Sequence, residues 1–149
     1  MADIFFLDRL TVEAKHDGVQ RLVVGAVVEY EGRVLLLQRP ANEFMGGIFE
    51  LPSGRVELGE ALDTALIREV KEETGLDATE IHDYIGSFDY LSSSGEKSRQ
   101  FNFAVYIKTP KPIELQEHDS YHWAPLTEEL PVTNSVKEVL DRYRELRGI

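Results

Sequence analysis

Residues Gly54–Leu76 read GRVELGEALDTALIREVKEETGL, and seven of them, Gly54, Glu60, Arg68, Glu69, Glu72, Glu73 and Gly75, carry most of what the chain reveals. At average residue usage such a set arises at a given starting position with a probability on the order of 10⁻⁹, so composition does not account for it. No Gly or Pro interrupts the run between Glu60 and Thr74, and Leu62, Ala65, Leu66, Arg68, Glu69 and Val70 favour a helix. At about 100° per residue, Glu69, Glu72 and Glu73 fall within an arc of roughly 100° that also carries Ala61, Leu62 and Ala65. The carboxylates are thus expected on the inward stripe. Like charges at i,i+3 and i,i+4 destabilise a helix by roughly 0.2–0.5 kcal/mol per pair, so something positive should sit between them. A hard divalent cation, Mg²⁺ or Mn²⁺, fits oxygen ligands best.

Taken alone, these glutamates would read as a solvated acidic face with Arg68 and Lys71 as surface partners. The loop in front weighs against that reading. Leu51-Pro52-Ser53-Gly54 and then Leu58-Gly59-Glu60 lead into the helix start through flexible backbone that can approach a metal or phosphate closely.

The full pattern, Gly-x5-Glu-x7-Arg-Glu-U-x-Glu-Glu-x-Gly-U with U aliphatic, resembles the signature of the Nudix hydrolases, and every fixed position is present. The resemblance covers most of the chain after about Val19. It implies an α/β fold, an α/β/α sandwich with a mixed β-sheet, and Mg²⁺-dependent hydrolysis of a nucleoside diphosphate linked to another group. Carried over by position, Glu72 and Glu73 correspond to metal ligands, Glu69 to a ligand or general base, and the Gly54 carbonyl to a further ligand. Arg68, beside Glu69 and four residues before Glu72, is placed to orient carboxylates by charge-assisted hydrogen bonds, and Glu60 is expected to be structural. Glu117, six residues before Trp123, resembles a late glutamate that approaches the metals in MutT-like members; its bland alternative is a surface acid among Glu114 and Asp119.

Arg39 and Asn134 resemble positions that touch phosphate or sugar, and the base, in MutT-like nucleoside triphosphate hydrolases. Arg39 offers a fork of donors and Asn134 can both donate and accept. Against this, Arg39 is also compatible with a surface role before Pro40, and Asn134 or Ser135 with capping the last helix, Ser135 and Glu138 being spaced as a capping box. Ser53 departs from the glycine common at its place. The proline after the box that marks many ADP-ribose hydrolases is absent, as is the SQPWPFPxS run of NADH hydrolases, and Tyr90 lies slightly short of the tyrosine spacing of dinucleoside polyphosphate hydrolases. Phe44, Phe88, Tyr90, Phe101 and Phe103 alternate as core or sheet-surface aromatics do, and none is singled out as stacking on a base. His16, His82, His118 and His122 show no metal-ligand spacing and read as structural.

The 149 residues, 42% hydrophobic, suit a single domain over 1–149. A formal charge of −11 and the lack of a basic run argue against duplex nucleic acid or an anionic membrane as partner and leave room for a small-molecule nucleotide substrate. The absence of cysteine excludes disulfides and thiol chemistry and fits a reducing compartment. MADIFFLDRL has neither a basic leader nor a long apolar core, so the expectation is a soluble cytoplasmic protein. Residues 1–18 fall outside the resemblance and are read as an extra strand or a dimer contact, many members of the family being homodimers.

Along the rest of the chain, Arg21–Tyr30 reads as a buried strand, Glu31-Gly32 as a turn and Val34–Gln38 as its hairpin partner. Ile48–Leu51, Ile81–Leu91, Arg99–Lys108 and Tyr121–Ala124 are further extended runs, with a polar hairpin tip at 92–97. Val136, Val139, Leu140, Tyr143 and Leu146 form the apolar stripe of a C-terminal helix. The expected activity is pyrophosphohydrolysis of a nucleoside triphosphate, oxidised dGTP included, to monophosphate and pyrophosphate. Alternatives are cleavage of ADP-ribose, a nucleotide sugar or a dinucleoside polyphosphate, or a non-catalytic nucleotide sensor. An acidic Ca²⁺-responsive scaffold ranks last for want of EF-hand spacing.

Overall fold

The computed structural model describes residues 3–149. At its centre β1 (Arg21–Tyr30) runs parallel to β6 (Lys97–Ile107), in register from Arg21 opposite Ser98 to Val28 opposite Val105. β5 (Ala78–Leu91) flanks β6 antiparallel. On the other side β2 (Arg33–Gln38) joins β1 through a tight turn in which Glu31 and Gly32 both have positive φ, 51° and 76°. That pair of left-handed residues is what a two-residue hairpin turn matching strand twist requires.

β3 (Phe49–Glu50) and β7 (Ser120–Pro125) both pair with β2, whereas β4 (Ser53–Arg55) pairs with β1 beside Val23–Gly25. The path is therefore β3-β2-β1-β6-β5, with β4 and β7 attached to β1 and β2. β1 serves β4 at its start and β2 at its end, so the sheet splits there, and Leu51-Pro52 crosses from one part to the other. The short strand β4 was not expected from the sequence, because three residues reading Ser-Gly-Arg carry no alternation.

Helices cover both faces, as expected of an α/β/α sandwich. α2 (Leu62–Thr74) buries Leu62, Ala65, Leu66 and Val70 against Val24, Ala26, Val28, Phe101 and Phe103. It stops at Gly75, whose φ of 79° suits a left-handed C-cap and whose N–H returns to the Lys71 carbonyl. α3 (Asn134–Arg147) packs Val136, Val139 and Tyr143 on Val27, Ile85 and Ala104, the opposite face.

The N-terminal segment corrects the expectation of an extra strand. Ile4–His16 is a helix, α1, whose N-cap Asp3 accepts from the Phe5 N–H and whose Leu7, Leu10 and Ala14 enter the α2-side core. The i, i+3, i+7 spacing of those three side chains, behind an aspartate cap, outweighs the strand propensity of the Ile-Phe-Phe run. Residues 1 and 2 of that segment lie outside the described residues. The N-cap of the last helix is corrected as well. Thr133, not Asn134 or Ser135, caps α3 by accepting from the Val136 N–H at 3.2 Å. No helix among the described residues is long and apolar enough to cross a membrane.

Candidate active site

The glutamate-rich face of α2 meets β4 where the sheet splits. Glu69 and Glu73 lie on the half-buried flank of the helix, while Glu72 is turned about a quarter-turn away and its side chain is 57% exposed. The expectation that all three share the inward stripe thus holds for two of them. The stripe is centred on Leu62, Leu66 and Val70, and the 100° step carries Glu72 past its edge.

Arg68 sits where the sequence reading placed a cation. Its Nη1 donates to Glu69 Oε1 at 2.8 Å and to Glu72 Oε2 at 3.1 Å. Nε and Nη2 donate to both oxygens of Glu60, at 2.7 and 2.8 Å, and Nη2 also reaches the Arg55 carbonyl. The fork geometry of guanidinium lets one side chain tie the loop residue Glu60 to two helix carboxylates. Glu60 also accepts from the Glu57 N–H, and with Arg68 first among the causes its pKa falls to about 2.

Glu73 has no such counter-charge. Burial pushes its pKa up to about 8, against the opposing pull of His118 and of the Ser53 N–H, which donates to Glu73 Oε2 at 3.4 Å. Glu69 is raised too, by burial first, with Arg68 offsetting part of the cost and the charges of Glu72 and Glu117 adding to it. The Glu69 carboxyl lies flat against Gly54, where a Cβ would come within 2.0 Å of it. A glycine is required there by close approach.

The structure brings further residues to this place. Glu50, on β3, accepts from His118 Nε2 at 2.6 Å and from Arg39 Nη1 at 3.2 Å. The His118 side chain is 6% exposed, and among the described residues its Nδ1 has no partner. Burial alone would lower its pKa, but the bond to Glu50 and the charges of Glu73, Glu50 and Glu117 raise it. His118 reads as structural in the sequence and Glu50 carries no signal there, because their link spans 68 residues and follows from β3 and β7 both flanking β2. The one available signal was the position of His118 beside Glu117.

Glu117 itself is exposed, and its charge is felt at Glu69 and His118. Arg39 is engaged by Glu50 and more loosely by Glu43 at 4.0 Å, so it is not a free surface arginine. Asn134 is exposed at the start of α3 and makes no side-chain hydrogen bond among the described residues. The segment before it is docked on β3, where Phe49 N–H donates to the Pro131 carbonyl.

Among the described residues no three His, Asp or Glu side chains stand together as a ready-made ion cage. Arg68 partners two of the carboxylates instead. The donor set nevertheless fits a hard divalent ion. Glu69, Glu73 and the Gly54 backbone supply oxygen only, and Glu73 is a buried carboxylate short of positive charge. A hollow of about 120 Å³ between β2, β7 and α3 is lined by Leu36, Leu126, Leu130 and Val132, and none of these carboxylates borders it.

Known proteins resemble this chain in sequence and in fold. The family model described as NUDIX domain matches residues 19–143. A CTP pyrophosphohydrolase of Escherichia coli is 43% identical over 65 residues, 44% of this chain and 47% of that protein. An ADP-ribose pyrophosphatase of Methanocaldococcus jannaschii is 46% identical over 55 residues, 37% of this chain and 32% of that protein. The matched stretch thus spans less than half the length of each of these relatives. The crystal structure of a MutT protein from Methanosarcina mazei superposes with a TM-score of 0.74 at 26% identity, over 87% of this chain and 96% of that one.

Proposed function

The chain belongs to the Nudix family, and from that premise we propose that it is a divalent-metal-dependent pyrophosphohydrolase that converts a nucleoside triphosphate to its monophosphate and pyrophosphate. The observation that carries this reading is the pair of half-buried carboxylates held against the Gly54–Ser53 backbone, Glu69 shared with Arg68 and Glu73 with no guanidinium beside it. A solvated acidic face would leave both groups in water with ordinary acidity. A nucleotide sensor would need neither the burial nor the glycine that lets Glu69 approach the loop.

In this reading Glu69, Glu72, Glu73 and the Gly54 carbonyl would hold the ion, Mg²⁺ or Mn²⁺, and Glu117, in the loop before β7, would add a further carboxylate. The ion supplies neutralisation of the phosphate charge and a water of lowered pKa. The chain's own groups do the rest. Arg68 fixes the Glu69 and Glu72 carboxylates in orientation, so that they need not reorganise as charge develops. Glu69 or Glu73, whichever keeps an oxygen free of the ion, takes the proton of the attacking water. Arg39, tethered by Glu50, offers its remaining donors to phosphate or sugar, and Asn134 stands at the start of α3 as a second polar contact. The triphosphate reading draws on the CTP pyrophosphohydrolase, and the ADP-ribose pyrophosphatase keeps a linked nucleotide as the second.

The test is incubation with Mg²⁺ and a panel of NTPs, dNTPs, 8-oxo-dGTP, ADP-ribose, a nucleotide sugar and diadenosine polyphosphates, with pyrophosphate, phosphate and monophosphate assayed separately. Pyrophosphate from a triphosphate is the expected outcome. Turnover confined to the linked compounds would overturn the substrate class.

A further inference from the structure

On the face of β6 that looks toward α3, Gln100 and Asn102 are buried, at 7% and 0% exposure, two residues apart and next to Ala104 in the α3-side core. Buried amides are costly unless their hydrogen bonds are made. Asn102 makes its own. Its Nδ2 donates to the Gly86 carbonyl at 3.1 Å and to the Gln100 carbonyl at 3.2 Å, which leaves Oδ1 to accept from Gln100 Nε2 at 2.8 Å. This fixes the Gln100 amide as well, with Nε2 turned to Asn102 and Oε1 left over. Among the described residues no donor reaches Gln100 Oε1. That oxygen is not among the sealed atoms lacking a partner, which are Arg21 Nε, Arg39 Nε and His118 Nδ1, so it opens to solvent. A nearly buried glutamine thus keeps an oriented, unpaired acceptor within reach of solvent.

The surroundings suit a planar ring. Phe88 lies directly across from Gln100, and Tyr90 across from Ser98, so both rings stand on the same face, their centroids 6.0 Å apart. On the other side Gly25 lies across from Asn102, and a Cβ there would come within 2.4 Å of Gln100 Nε2 and 2.6 Å of Asn102 Oδ1. The amides therefore lean over β1 toward β4, where Ser53 pairs with Gly25 and donates its N–H to Glu73. From Asn102 to Ser53 is two strand spacings, about 10 Å, comparable to the reach from a base to its phosphates. The carboxylates stand on the α2 side of the sheet and the amides and aromatics on the α3 side, with β4, paired to β1, lying between the two.

We propose that Gln100 reads the nucleobase of the substrate, with Asn102 fixing its amide and Phe88 and Tyr90 flanking the ring, and that the slot selects a base offering an exocyclic amino hydrogen to Oε1. Cytosine and uracil have the same shape and differ in this feature, so the pair isolates it. An oriented acceptor accepts the amino group of cytosine and repels the carbonyl oxygen of uracil. The inference rests on the nucleotide reading given above.

The experiment has two arms. Calorimetric binding of CMP and UMP without metal, and turnover of CTP and UTP with Mg²⁺, are measured for the native protein, Gln100→Leu and Gln100→Met, with melting temperatures checked. The native protein is expected to bind CMP about tenfold or more tightly than UMP, with kcat/KM following. Both variants should bring the ratio near one, the loss falling on the cytosine compound. Equal binding of CMP and UMP by the native protein, or an unchanged ratio in a folded variant, would overturn the assignment. CMP preference that depends on Gln100 without turnover of any nucleotide would remove the reaction and keep the base slot. Turnover without base preference would do the reverse.

Discussion

Arg68 hydrogen-bonds three carboxylates at once, and the consequences at residue scale follow from which of them can give it up. Glu60 holds it through both oxygens and has its pKa lowered from 4.5 to about 2. A depressed carboxylate contributes stability that is complete above its unfolded pKa and is lost as pH falls toward the folded one. Glu60→Gln should therefore cost about 2 kcal/mol near pH 7, the scale of hydrogen bonds to a charged group. Denaturant unfolding should show the gap to the parent shrinking from pH 6 to pH 3. A gap that stays constant with pH would remove the ionic part of this contact. Gly54 gives a second prediction. An alanine there would put Cβ 2.0 Å from the Glu69 carboxyl, so Gly54→Ala should displace that group and lower turnover about 100-fold or more. The destabilisation should stay within about 1–3 kcal/mol. Near-parental kcat with an unfolded fraction would point instead to a purely structural glycine.

At the scale of elements, helix ends and strand pairings separate what the sequence makes legible from what it does not. α2 was readable because its apolar stripe repeats at the helical period and Gly75 closes it. β1, β2 and the β5–β6 hairpin were readable from valine-rich or alternating runs bounded by turn residues. α1 was missed because Ile-Phe-Phe looks like a strand until its Asp3 cap and the Leu7, Leu10 and Ala14 stripe are weighed together. At α3, three adjacent polar residues, Thr133, Asn134 and Ser135, could each cap, and the backbone geometry chose the first. Thr133→Ala should accordingly lower stability by about 1 kcal/mol, whereas Asn134→Ala should leave the melting temperature nearly unchanged. The reverse pattern in thermal unfolding would contradict the cap assignment.

Across the whole molecule, the site depends on contacts no local pattern encodes. The box residues between Gly54 and Leu76 announced a carboxylate site, yet the link of His118 to Glu50 and the oriented Gln100 amide arise only when β3, β6 and β7 are assembled around β1 and β2. Assembly also leaves negative charge concentrated on a chain of formal charge −11, with Glu73 buried among other acids. An ion bound there stabilises the folded state by mass action, about 2.7 kcal/mol at a hundred times its Kd. Mn²⁺ or Mg²⁺ should raise the melting temperature of the parent and a chelator should restore it, while Glu73→Gln should show a much smaller rise. The decisive measurement is pyrophosphate release from nucleoside triphosphates in Mg²⁺ by the parent and Glu73→Gln proteins side by side, each checked for fold by circular dichroism. Turnover in the parent that needs the metal and falls by several orders of magnitude in the variant is the predicted result. Comparable rates in the two folded proteins would contradict a catalytic carboxylate at Glu73.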